Sequence, residues 1–130
     1  MGLFKHNSVL LIDDSYIDNL INRKILENNK FAENIVVIDS PQEAINYLRN
    51  KQTTGEEFPE VIFLDLRMPG MSGFELLQEL HSIIGHKAGS IKIFVLSSSL
   101  DPSDLKRAQE NSLVTRFIGK PLTNKILEEI

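Results

Sequence analysis

The stretch 61–84, "VIFLDLRMPGMSGFELLQELHSII", decides how the chain is read. Four apolar residues, Val61 to Leu64, end on the carboxylate of Asp65. A short apolar run that stops at a turn reads as a strand, and one without alternation reads as buried on both faces. "MPGMSG" (68–73) is the turn. Ser72, with Glu75 three residues on, makes a capping box ahead of "FELLQELHSII". Strand, acidic end, turn and helix form one β–α unit.

The same unit recurs in both directions. "VLLI" (9–12) is a strand candidate, and "YIDNLINRKILENN" (16–29) follows with Ile17, Leu20, Ile21, Ile25 and Leu26 at helical spacing. "IVVI" (35–38) is the next strand. Ser40 and Glu43 repeat the capping-box pattern, Pro41 suits the first turn, and Ala44, Ile45 and Leu48 form the inner face. "KQTTGEEFPE" (51–60) and "GHKAGS" (85–90) are expected to be loops. "IKIFVL" (91–96) and "LVTRFI" (113–118) are the last strands. Asp101-Pro102 opens a helix through about Gln109, and a final helix starts near Thr123. Five strands alternate with five helices. The spacing predicts an α/β fold, a doubly wound five-stranded parallel sheet with helices on both faces. No repeat, low-complexity tract or interdomain linker interrupts 1–130, so one domain is expected.

Composition narrows the function classes. Of 130 residues, 42% are apolar and 25% charged, the balance of a globular chain with a real core. The net charge is −4 and no Lys/Arg cluster is present, which disfavours direct nucleic-acid binding. With no cysteine, disulfides, thiolate metal sites and a Cys nucleophile are excluded. No run approaches the roughly 20 apolar residues of a membrane span. "MGLFKHNS" lacks a signal-peptide core, and Gly2 lacks the downstream Ser or Thr of a myristoylation site. A cytoplasmic protein without membrane insertion is expected.

In an open parallel sheet, ligands bind beyond the carboxyl ends of the strands. Asp13 and Asp14 follow the first strand, Asp39 the second, and Asp65 ends the third. Ser97 follows the fourth, with Ser98 and Ser99 after it, and Gly119, Lys120 and Pro121 follow the fifth. Asp14 alone could equally cap the next helix. Together, Asp13, Asp14 and Asp65 repel one another unless a cation lies among them, and hard oxygen donors suit Mg²⁺.

"LLIDD" (10–14), "VIFLDLRMPGMSG" (61–73), "FVLSS" (94–98) and "FIGKP" (117–121) resemble the motifs of the response-regulator receiver family of two-component signalling, in order and over essentially the whole chain. The resemblance implies a flavodoxin-like strand order 2-1-3-4-5 and a single receiver domain over 1–130, of the single-domain chemotaxis type. It implies that Asp65 accepts a phosphoryl group from a phosphohistidine of a sensor histidine kinase or histidine phosphotransfer protein. Asp14 would bind Mg²⁺ directly, Asp13 through water, and Arg67 through its backbone carbonyl. Lys120 and Ser97 would contact phosphoryl oxygens. Ser97 and Phe117 would form the switch, although many relatives carry Tyr at the Phe117 position. The Lys120–Pro121 bond is a candidate cis peptide. The face of helix four, strand five and helix five (within Leu105–Glu110, Arg116–Ile118 and the last helix) would signal to a downstream protein. No enzymatic role beyond the domain's own phosphorylation and dephosphorylation is implied, and homodimer formation stays open. A long cation at Arg67 and no carboxylate at Ser99 suggest a slow or intermediate loss of the phosphoryl group.

Three rival readings fit less well. A haloacid-dehalogenase-type phosphatase needs a second Asp two residues past its nucleophile, and position 67 is Arg. A flavodoxin-like binding domain needs a Ser-, Thr- or Gly-rich phosphate loop after the first strand, where this chain is acidic. A degenerate receiver would lack site residues that are all present here. His6, His81 and His86 are expected at the surface, and Met68 and Met71 as turn and packing residues.

Overall fold

The three central apolar runs become strands covered on both sides, whereas the two edge runs, 35–38 and 113–118, are only partly buried. The computed structural model describes residues 3–98 and 101–130. Its strands are β1 (His6–Ile12), β2 (Ala32–Ile38), β3 (Val61–Asp65), β4 (Lys92–Ser97) and β5 (Val114–Gly119). The helices are α1 (Tyr16–Asn28), α2 (Pro41–Thr54), α3 (Gly73–Ile84), α4 (Pro102–Glu110) and α5 (Asn124–Glu129). The sheet is parallel throughout, in the order β2-β1-β3-β4-β5. Successive side chains point to opposite faces. Leu10, Ile12, Ile62, Leu64, Ile93 and Val95 therefore meet Ala44 and Leu48 of α2 and Leu76 and Leu80 of α3. Val9, Leu11, Phe63, Phe94 and Leu96 meet Leu26 of α1 and Leu127 of α5. On that second face Phe31, Phe63 and Phe94 form a run of rings 5.9 and 5.4 Å apart between centroids.

The helix starts follow the capping residues. The Ser72 hydroxyl accepts the Glu75 N–H at 3.2 Å, and Glu75 accepts the Ser72 N–H at 3.1 Å. Ser40 accepts the Glu43 N–H at 3.3 Å, and Pro41 lies in the first turn of α2. Two expected loops are shorter than foreseen. Residues 51–54 extend α2, which ends where Gly55 turns left-handed at φ 78°. Residues 85–90 form a 3₁₀ helix. His6 also departs from expectation. It is the first residue of β1, half-buried, 4.8 Å from the Phe31 ring and 3.7 Å from Glu60. Burial, only partly offset by Glu60, lowers the His6 pKa. His81 is exposed on α3. Gly2, Ser99 and the His86 side chain lie outside the described residues. No helix among the described residues is long and apolar enough to cross a membrane.

The strand order sets the topological switch point. β1 and β3 are neighbours, and the connection leaving β1 runs outward to β2 while that leaving β3 runs the other way to β4, which opens a crevice at their carboxyl ends.

Candidate functional site

Asp13 and Asp14 leave β1 at this crevice. Asp13 is fully buried. Its N–H bonds Ile38 O at 3.2 Å, its carboxylate accepts the Ser15 N–H at 2.9 Å, and its carbonyl accepts the Asn19 amide at 2.7 Å. Ser15 caps α1 by accepting the Asp18 N–H at 3.2 Å. The cap is therefore not Asp14, whose side chain is exposed and forms no ion pair among the described residues.

Asp65 is buried at the end of β3, in register with Leu96 of β4. The start of α3 presses against it from behind. A Cβ on Gly73 would lie 2.6 Å from the Asp65 carbonyl oxygen and 2.6 Å from the Leu66 Cα, so only glycine lets α3 approach this closely. Gly70 supplies the other turn requirement, with φ 83°.

Lys120 is delivered by β5. Ser97 and Gly119 are paired across β4 and β5, and the Lys120 N–H bonds Ser97 O at 2.9 Å. The Lys120–Pro121 peptide is cis, as expected. The Leu122 N–H bonds the buried Asn22 side-chain amide oxygen (Oδ1) of α1 at 3.0 Å. The Lys120 ammonium then lies 2.6 Å from Asp13, 2.9 Å from Asp18 and 3.2 Å from Asp65.

These contacts set the electrostatics. Burial, then the nearby Asp13 charge, pushes the Asp65 carboxyl up to about 6, against the attraction of Lys120 and the Arg67 N–H. Burial alone would lower Lys120. Hydrogen bonds to Asp13 and Asp18 and the charges of Asp65 and Asp13 outweigh it, holding the ammonium above its ordinary value. Part of the repulsion expected among the carboxylates is thus relieved by Lys120 itself. Asp13, Asp14 and Asp65 still bring ligand oxygens within 4.8 Å of one another. Three hard oxygen donors, one of them unpaired, fit a divalent cation that retains several waters.

Ser97 is buried on the same rim. Phe117 is half-buried, opposite Val95 and packed against the core. The Arg67 backbone lies against Asp65, but its guanidinium is turned to α4, where it pairs with Asp104. The expected shielding cation is engaged with another carboxylate. Met68 and Met71 pack as expected.

The largest departure is α1. Of its apolar residues, Leu26 is buried, whereas Ile17, Leu20 and Ile21 are 59%, 55% and 43% exposed, beside Tyr16 at 76%. The face turned inward carries Asn19, Asn22 and Leu26. Two features of α1 went unread in the sequence: this exposed apolar face and Asp18. Asn19 and Asn22 three apart inside a helix were the available signal, because asparagine is a poor helix-interior residue unless its amide has a partner.

A doubly wound sheet with an acidic crevice and an ammonium at its switch point defines a receiver-type module. The sequence pattern of the response regulator receiver domain matches residues 9–130, and the chain belongs to that family. It is a phosphoacceptor response-regulator receiver of two-component signalling. The chain is similar to a two-component response regulator from Cytophaga hutchinsonii, with 35% identity, a TM-score of 0.89 and 96% and 93% of the two chains covered. It is also similar to the phosphorylated cyanobacterial phytochrome response regulator RcpA, with 27% identity, a TM-score of 0.75 and 95% and 88% covered. Among curated proteins, the two-component response regulator ORR1 of Oryza sativa subsp. japonica is 30% identical over 124 residues, 94% of this chain. The chain spans about half of that protein's length, 52%.

Proposed function

We propose that 1–130 is a single receiver domain in which Asp65 is the phosphoacceptor. The observation that carries this reading is the buried Asp65 carboxylate, held between the Lys120 ammonium and the acidic pair Asp13–Asp14. A carboxylate suffices as nucleophile because the phosphoryl-transfer transition state is loose and needs positioning and charge stabilisation. An Asp65 carboxylate oxygen forms the new O–P bond as the donor's N–P bond breaks. The electron pair returns to the imidazole nitrogen, which then takes a proton. Asp14, Asp65 and the Arg67 carbonyl would hold Mg²⁺ directly, and Asp13 would act through water. The bound ion would neutralise phosphoryl charge. Asp13 is already committed to Lys120 and Ser15, whereas Asp14 is unpaired, which supports that division. Lys120 and Ser97 receive phosphoryl oxygens, and Phe117 responds to the movement of Ser97.

The donor is a sensor histidine kinase or a histidine phosphotransfer protein, met in the cytoplasm. Tyr16, Ile17, Leu20 and Ile21 form an apolar helix face whose Ile21 lines the same cleft as Lys120. That face suits a helical docking surface that brings a phosphohistidine to the crevice. The face of α4, β5 and α5, tied by the 3.0 Å Arg116–Glu129 pair, contacts the downstream protein. Its chemistry is confined to its own phosphorylation and dephosphorylation. Incubation with acetyl phosphate and Mg²⁺, followed by intact mass, tests the reading. One phosphoryl adduct is expected, absent in Asp65→Asn. Asp14→Asn should weaken Mg²⁺ binding more than Asp13→Asn, and equal effects would contradict the division of their roles.

A further inference from the structure

Lys120 has three carboxylate partners, and Asp65 is the most distant of them. The ammonium lies 2.6 Å from Asp13, 2.9 Å from Asp18 and 3.2 Å from Asp65. An ammonium has three N–H donors, so these three partners fill its capacity. A phosphoryl group on Asp65 would bring further acceptor oxygens to the same ammonium; the first can take over the Asp65 contact, and a second can be bonded only if Asp13 or Asp18 yields. Asp13 is fully buried, and losing Lys120 would leave its charge without a cation and with only the Ser15 N–H among its described side-chain bonds, which is expensive. Asp18 is different. Its side chain is 35% exposed and can return to water.

Asp18 is also placed to hold the ammonium on the helix side of the crevice. It lies one turn before Asn22 on α1, and Asn22 accepts the Leu122 N–H at 3.0 Å. The helix therefore grips the segment after β5 twice, by the Lys120 side chain and by the Leu122 backbone. Asp18, Ile21, Asn22, Ser98, Lys120 and Pro121 line one cleft on this side.

We propose that Asp18 is a positioning residue for phosphoryl transfer, drawing the Lys120 ammonium toward α1 in the unphosphorylated protein and yielding it to the phosphoryl group. The inference rests on Asp65 being the phosphoacceptor. Asp18 is then a brake on uptake. Removing its charge leaves Lys120 freer to meet the incoming group, while Asp13 keeps the ammonium in the crevice.

The test compares Asp18→Asn, Asp18→Glu, Lys120→Ala and the Asp18→Asn/Lys120→Ala pair. Two quantities are measured in Mg²⁺: beryllofluoride affinity by calorimetry, and the rate of phosphoryl uptake from acetyl phosphate. Asp18→Asn is expected to raise both by about two- to fivefold, the range set by a partly exposed ion pair. Asp18→Glu is expected to stay near wild type. The gain should vanish when Lys120 is already Ala. An unchanged Asp18→Asn would overturn the proposal, and so would a gain that persists without Lys120, which would mark a general charge effect. In either case a wild-type chain phosphorylated on Asp65 leaves the functional reading standing. A wild-type chain that takes up neither probe overturns both.

Discussion

Asp65 meets two opposing demands. It must be ionised to attack phosphorus, yet burial and Asp13 raise its pKa to about 6. A carboxyl with a folded pKa above its ordinary value of 3.8 binds more protons in the folded chain between those two pH values. Its contribution to stability is present below pH 3.8 and is lost as pH rises through 6. At pH 7.5 the ionised group therefore opposes folding. Asp65→Asn should raise metal-free stability by up to about 3 kcal/mol at pH 7.5, from about 1.4 kcal/mol per pKa unit over the rise from 3.8 to about 6. The gain should shrink as pH is lowered through 6, read by urea unfolding at each pH. A destabilised Asp65→Asn at pH 7.5 would mean that the Lys120 attraction outweighs burial. Gly73 makes a second prediction at this scale. Gly73→Ala puts a methyl group into the backbone of Asp65 and Leu66 and should cost about 1–3 kcal/mol in the same assay. Asp13, Asp14, Asp65 and Lys120 were legible in the sequence because each stands at a strand end, where the fold gathers them. Asp18 was not. A first-turn aspartate is ordinary at a helix N-terminus, and its partner lies 102 residues away.

At the scale of elements, α1 shows where periodicity misleads. Ile17, Leu20 and Ile21 have helical spacing, and the helix is real, but they face outward. The inward positions carry Asn19 and Asn22, whose amides bond Asp13 O and the Leu122 N–H. A polar residue is tolerated inside when it is hydrogen-bonded, and that bond needs a distant partner that a local pattern does not reveal. The contrast is measurable. Asn22→Ala should cost about 1–3 kcal/mol, since the buried Leu122 N–H loses its acceptor. Ile17→Ser should change stability by less than about 0.5 kcal/mol, as exposed positions do. Ile17→Ser should nevertheless slow phosphotransfer from a histidine-phosphorylated donor. Acetyl phosphate needs no docking and should still react. Equal slowing with both donors would remove α1 as the docking face. The expected loops at 51–60 and 85–90 were in part helical for a related reason. Helix ends are set by terminators such as Gly55, and the polar residues before it were compatible with either state.

Across the whole molecule, the alternation of apolar runs with amphipathic segments was enough to foresee the doubly wound sheet, because strands covered on both faces have few other folds. The receiver motifs supplied the order 2-1-3-4-5, and the structure has it. Distances, and the competition of three carboxylates for one ammonium, belong to the folded chain alone. The sheet's purpose, in this account, is to bring Asp65 from β3, the acidic pair from β1 and Lys120 from β5 to one crevice. Where the phosphoryl group lands is the most direct test. The protein is phosphorylated with acetyl phosphate and Mg²⁺, the acyl phosphate is reduced with borohydride, and the peptides are sequenced by mass spectrometry. Homoserine is expected at position 65 and at no other aspartate. Homoserine at Asp13, Asp14 or Asp18, or at none of the aspartates, would contradict it.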